Sequence, residues 1–330
     1  MTPLWNVWGG PPYRSCRLHT VYRVLGLVYL IICGMAAVEL ATAQDERAIR
    51  RIVVVDRQTA EEILQQLRQG ASFSALAGTR SVGGEYSQWG YSGIVRLREI
   101  QPVLRTALLK LKEGQISDVL EVGGQFVIIK VISPKIPRHF EAAVRAEREG
   151  KLPQAIQEIQ TALRLEEDNV QAYIKLALLQ QSAKKFDDAI RSFEKAQQYA
   201  PQATQVLLLV AGAYTHAAAE SHNAAQAEKA LQMYQQVLQH DERYAPSVHF
   251  GMGKVYLVAL RQSETAIEHL AKAAESTTNV AEAHRLLIQA YYDTQRYEQA
   301  WQSLRRAQDL GFDFPDLLAA LQKVKQQSQR

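Results

Sequence analysis

Apolar and small residues recur along the second half of the chain with a helical rhythm and a second, longer period. Between Val170 and Ala203, the residues Leu176, Ala177, Ala189, Phe193, Ala196 and Pro201 stand at spacings repeated up and down the chain. The slots of Ala189 and Ala196 recur at Ala155 and Ala162, at Ala230 and Val237, at Ala266 and Ala273, and at Ala300 and Ala307. The steps are 34, 41, 36 and 34 residues, so two loops are expected to carry insertions. Small residues at two fixed slots with this period predict stacked helix-turn-helix units, none of which can bury its apolar face alone. Five units are drawn, 136–169, 170–203, 204–245, 246–280 and 281–314, the third with a longer turn around His222. A last helix from Pro315 to Val324, with Leu317, Leu318 and Leu321 inward, would cap the open end, within a tail of 315–330.

Upstream, from Ile49 to Ile132, the pattern changes. Ile52 to Val55 is a short β-branched run, the composition of a buried strand. Thr59, with Glu62 three residues on, suggests a capping box for a helix striped by Ile63, Leu64 and Leu67 and ended by Gly70. Phe73, Leu76 and Ala77 suggest a short second helix. The glycine-rich 78–93 segment reads as a loop around Trp89, and Leu104, Leu108 and Leu111 mark a third helix stopped by Gly114. Ile116 to Val122 and Phe126 to Ile132 form a hairpin through Gly123-Gly124.

The N-terminus has an export pattern. Arg14, Arg17 and Arg23 precede the apolar run Val24 to Val38, and Ala41-Thr42-Ala43 follows. A basic flank, an apolar core and an A-x-A site make a secretory signal peptide over 1–43; the alternative is an uncleaved membrane anchor. The run falls short of the ~18 residues of a spanning helix, which favours cleavage. Both cysteines, Cys16 and Cys33, lie in this leader. The mature chain is then without disulfides, thiolate metal sites or cysteine nucleophiles, and its expected location is extracytoplasmic, periplasmic or secreted, or at the inner membrane if the anchor stays. Without the leader the chain has 35 basic and 33 acidic side chains. That balance argues against a nucleic-acid partner. None of the eight histidines forms an H-x-x-x-H pair, and the sequence contains no G-x-S-x-G. No metal and no cofactor is expected.

Strand, helices, strand, strand at this spacing resembles the parvulin (PpiC, rotamase) family of peptidyl-prolyl isomerases, over 48–133. Leu111-Lys112-Glu113-Gly114-Gln115-Ile116-Ser117 resembles the family's L-x-x-G-[EQ]-I-S, and Phe126-Val127-Ile128-Ile129-Lys130-Val131 its Y-H-I-I-K-V. Arg51-Ile52-Val53-Val54 is similar to its R-H-I-L-V, and Gly83-Gly84-Glu85 to its G-G-D. The resemblance implies an α+β fold, a four-stranded antiparallel sheet flanked by helices, its fourth strand expected near Ser87 to Tyr91. It also implies a proline pocket, whose residues here would be Ile100, Leu104, Phe126, Val127 and Trp89. The family's two strand histidines align with Ile52 and Val127, with Arg51 next to the first as the one candidate donor. The loop that brings an aspartate or cysteine to the site is shortened to Ser81-Val82-Gly83.

Amide rotation breaks no bond, so a dry cleft gripping the proline ring, plus a donor to the twisted amide, is the least the reaction asks for. Ile100 and Leu104 equally suit a helix core, and for Arg51 a solvated strand end is the favoured reading.

The helical part, 136–314, resembles tetratricopeptide (TPR) repeats, an all-α superhelix. Tyr214, Tyr256 and Tyr291 stand at the family's tyrosine slot, and Ile159, Phe193, Tyr234, Leu270 and Leu304 at its large slot. The resemblance implies a groove for an extended peptide, lined by Phe140, Ile174, Leu208 and Phe250 and interrupted at Arg285; packing within the protein is the other use for these side chains. Phe140, Val144 and Leu208 fill the slots of the carboxylate-clamping subtype, which excludes that partner. Gly251-Met252-Gly253-Lys254 hints at a phosphate loop, but the pattern is incomplete and Gly253 occupies a small-residue slot. Two expectations of function follow: an exported folding or assembly factor acting on unfolded polypeptide at Xaa-Pro segments, or a non-catalytic interaction scaffold with a degenerate isomerase domain.

Overall fold

The computed structural model describes residues 45–84, 88–276 and 280–327. The leader, Glu85, Ser87 and Arg330 lie outside them. Strands β1 (Glu46–Val54), β2 (Tyr91–Arg96), β3 (Leu120–Val122) and β4 (Gln125–Ile132) form one antiparallel sheet in the order β2-β1-β4-β3. Helices α1 (Arg57–Arg68) and α2 (Phe73–Arg80) cover one face, and α3 (Pro102–Lys110) the other.

The central strands are apolar on both sides, so each face has its own core. Ile52, Val54 and Ile128 meet Ile63 and Phe73, whereas Ile49, Val53, Val127 and Ile129 meet Leu104 and Leu108. Asp56, not Thr59, caps α1: its side chain accepts from Thr59 N at 2.7 Å. The fourth strand is Tyr91–Arg96, just beyond the place expected, because Arg51 N donates to Gly90 O at 2.7 Å and brings the next residues alongside β1.

Helices α4 (Lys135–Arg148) to α13 (Tyr297–Asp309) follow as five antiparallel hairpins, and α14 (Pro315–Gln327) packs on the last with Leu317 and Leu321. The pairs are α4 with α5 (Leu152–Leu165), α6 (Val170–Ser182) with α7 (Phe186–Tyr199), and α8 (Thr204–Ser221) with α9 (Ala224–His240). Then come α10 (Ala245–Lys254) with α11 (Ser263–Ala274), and α12 (Val280–Asp293) with α13. Ala155, Ala189, Ala230, Ala266 and Ala300 are fully buried, and Ile159, Phe193, Leu270 and Leu304 fill the gaps they leave. At Gly253 a Cβ would come 2.6 Å from Leu270 Cγ, so this glycine serves close helix approach.

The third unit's extra residues do not lengthen its turn. They extend the helices to 18 and 17 residues, joined by His222 in the left-handed region (φ 51) and capped by Asn223. Added helical turns keep every backbone group bonded, which a longer loop would not. In the fourth unit a π turn, Val255–Ala259, ends α10.

Candidate functional site

A cleft of about 580 Å³ opens between the ends of β1 and β4, the Val82-Gly83 turn and the start of α3. Val53, Leu104 and Val127 form its floor; Arg51, Val55, Gln101 and Gln125 form its walls. Val53 and Val127 are Cα partners across the ladder, so their side chains share one face. Ser81 holds the turn in place: its hydroxyl accepts from Val53 N at 2.9 Å, and Val82 N donates to Val53 O at 2.8 Å. Val55 is 65% exposed at the rim and extends the apolar surface outward. Arg51 Nε donates to Ser92 Oγ at 3.0 Å, which leans the guanidinium along the wall.

The structure brings together only some of the residues expected here. Leu104 and Val127 line the cleft. Ile100 packs half-buried on the same core but away from the opening. Phe126 lies on the opposite face with the α1 and α2 core, since neighbouring residues of a strand point to opposite sides. Trp89 sits in the core of the helical repeats with Ala75 and Val170, its ring filling the space over Gly78.

The expected pair Ile52 and Val127 is separated by the sheet. Ile52 faces α1 and α2; the β1 residue on Val127's side is Arg51. A slip of one residue along a strand exchanges the faces, and this slip corrects the assignment. Val53 and Val55 were missed, though they alternate with Arg51 at period two.

Among the expected groove residues, Phe140 is taken up by the sheet domain: its ring stacks on Tyr91 with centroids 6.1 Å apart, and it packs beside Ile132 and Ile136. Ile174, Leu208 and Phe250 are part-exposed on the first helices of the next three hairpins. Arg285 pairs with Asp316 of α14 at 3.1 Å.

The two parts are joined by a buried polar cluster that the sequence did not announce. Arg50, fully buried, donates to Glu166 from Nε and Nη2 (Nη2 at 2.9 Å) and to Trp89 O from Nη1 at 2.8 Å. Lys130 Nζ and Asn169 Nδ2 also donate to Glu166, at 3.1 and 3.0 Å. Burial pushes the Glu166 carboxyl up, but Arg50 and Lys130 outweigh it and hold the group below its ordinary value. Ser72 Oγ donates to Asp168 O, and Val170 N to Ser74 Oγ, stitching α2 to the second hairpin.

Residues 38–133 match the model of the rotamase family, described as the PPIC-type PPIASE domain. The sheet unit is a PpiC-type rotamase domain. Foldase protein PrsA 4 of Bacillus cereus is 29% identical over 154 residues, 44% of this chain and 51% of the relative. The chain thus spans about half the length of the curated relatives it matches. A crystal structure of a PpiC-type peptidyl-prolyl cis-trans isomerase domain is 29% identical, covering 27% of this chain and 89% of that one, with a TM-score of 0.25. A thermophilic TPR protein of Thermus thermophilus is 19% identical, covering 57% of this chain and 97% of that one, with a TM-score of 0.45. The helical unit behind the rotamase domain is TPR-like in its hairpins and its small-residue slots.

Proposed function

We propose that this protein is an exported folding or assembly factor whose rotamase domain takes Xaa-Pro segments of unfolded polypeptide while the repeats hold the same client or a protein partner. The observation that carries the reading is the open, apolar-floored cleft of about 580 Å³ with Arg51 on its wall. Val53, Leu104 and Val127 offer a proline ring a dry seat. The guanidinium, a permanent donor on the cleft wall, would give a twisted amide a hydrogen bond that a planar one lacks. The leader pattern, with both cysteines confined to it, supports action outside the cytosol, periplasmic or secreted. Ile174, Leu208 and Phe250 support an extended-peptide surface that begins at the second hairpin.

A second reading, a scaffold with a degenerate isomerase domain, is favoured by Val127, which puts a methyl-bearing side chain where the family resemblance implies a histidine. A protease-coupled assay on Xaa-Pro peptides separates the two. Turnover above the uncatalysed rate that falls with Arg51→Ala and survives Phe250→Ala supports the enzyme. Turnover at the uncatalysed rate, with proline-dependent binding retained, supports the scaffold. Binding indifferent to proline removes the enzyme reading and leaves the scaffold; the absence of any polypeptide binding overturns both.

A further inference from the structure

The Ser81-Val82-Gly83 turn has a hollow on each side. One is the rotamase cleft; the other is a groove of about 730 Å³ between the rotamase domain and the repeats. Val82 and Gly83 line both. Gly83 has no side chain, is exposed and has a φ of 75, so the turn presents backbone between the two hollows. The far wall comes from the repeats: Gln202, Thr204 and Gln205 at the start of α8, and Asp241 with Arg243 after α9.

The chemistry of this wall narrows its ligand. Asp241 accepts from Arg243 Nη2 at 2.7 Å, so the two charges offset each other and neither sign is favoured. The side chains of Gln202, Thr204 and Gln205 make no hydrogen bond among the described residues. Two carboxamides and a hydroxyl both donate and accept, which suits the alternating N–H and C=O groups of an extended main chain.

We infer that the groove is the continuation of the rotamase cleft and receives the residues flanking the proline of an extended polypeptide, through main-chain hydrogen bonds. The inference rests on the reading of the cleft as an Xaa-Pro site. It makes the repeats part of the substrate-binding surface, and it selects unfolded, neutral polar flanks over charged or helical ones.

The test uses the full chain and fluorescein-labelled peptides read by anisotropy: a four-residue peptide with a central proline, the same peptide extended by six neutral polar residues on either side, and each with alanine for proline. The perturbed proteins are Gln202→Ala/Thr204→Ala/Gln205→Ala and, filling the groove instead of emptying it, Gln205→Trp; circular dichroism checks their fold. Two or more new neutral hydrogen bonds predict that an extended peptide binds about tenfold tighter than the short one. Both variants should erase that gain and leave the short peptide's affinity unchanged. An extension that adds nothing, or a gain that survives both variants, overturns the inference. Failure of the underlying reading looks different: the short proline and alanine peptides would bind alike, and the inference would fall with it.

Discussion

Replacing Glu166 by Gln tests the junction between the rotamase domain and the repeats. The wild-type carboxylate receives Arg50, Lys130 and Asn169, and the Arg50 and Glu166 side chains are 0% and 5% exposed. Glutamine keeps one acceptor oxygen but removes the charge and turns an NH2 toward three donors. The cost of leaving a buried charge uncompensated is about 3–5 kcal/mol. The control is Glu61→Gln, which breaks the Arg57–Glu61 pair, where both side chains are at least 60% exposed. That change is worth about 0.3–0.5 kcal/mol.

Urea unfolding followed by circular dichroism should show the Glu166→Gln transition moved down by about 1–2 M, with the control within error of wild type. Hydrogen exchange at the amides of 48–54 should quicken in the variant. The pH dependence has a definite sign. Because the folded pKa of Glu166 lies below its ordinary value of 4.5, its stabilisation is complete above that value and is lost as pH falls through the folded pKa. The variant should lack this acid slope. A midpoint shift no larger than that of Glu61→Gln would refute the reasoning, since it would mean that water reaches Arg50 and replaces the carboxylate.

A Cβ at Gly78 would lie 2.1 Å from the Trp89 ring, so Gly78→Ala should cost about 1–3 kcal/mol by thermal unfolding and release the ring from the repeat core. His249 and His269 stand with their Nδ1 atoms 3.0 Å apart, a contact in which one ring donates and the other, neutral, accepts, and which is lost when both are protonated. Burial lowers both pKa values from 6.5, with Lys272 adding to the shift at His249 and His249 itself at His269. Their stabilisation is therefore present above pH 6.5 and lost as pH falls through the folded values, and His269→Gln should flatten the unfolding profile below pH 6.5. At the cleft rim, Val55→Asp should weaken binding of proline peptides about tenfold by calorimetry, while stability stays within about 0.5 kcal/mol because the side chain is already exposed.

The helical half was legible because its signal is redundant. Five alanines at one slot and a large side chain a few residues on state the same packing rule five times, and the buried Ala155, Phe193 and Leu304 obey it. The insertion in the third unit was misplaced because a step of 41 reveals added residues without revealing their conformation. Ala224, Ala225, Ala227 and Ala230 favour extended helix over loop.

In the sheet the strand signatures placed β1 and β4, but the site depends on side-chain parity, and one residue of slip put Ile52 where Arg51 belongs. Trp89 is placed in the pocket by the family resemblance, in a segment whose glycines mark only a loop. Its destination, the core of the repeats, depends on contacts between parts of the chain far apart in sequence. Glu166 carried no local mark at all: in the run Glu166-Glu167-Asp168 at a helix end, a carboxylate reads as solvated surface until Arg50 and Lys130 are brought to it.

The Arg50–Glu166 cluster also fixes where the chain can be shortened. The visible seam between sheet and helices, near Ser133, is not a mechanical one. A fragment ending there would leave Arg50 and Lys130 bare and strip Trp89 of its seat, whereas one running through the second hairpin to Ala203 keeps Glu166, Asn169 and Val170 in register with them. The smallest piece worth isolating is therefore the sheet with two hairpins attached. Any orientation between the rotamase domain and the rest of the superhelix is inherited from that block.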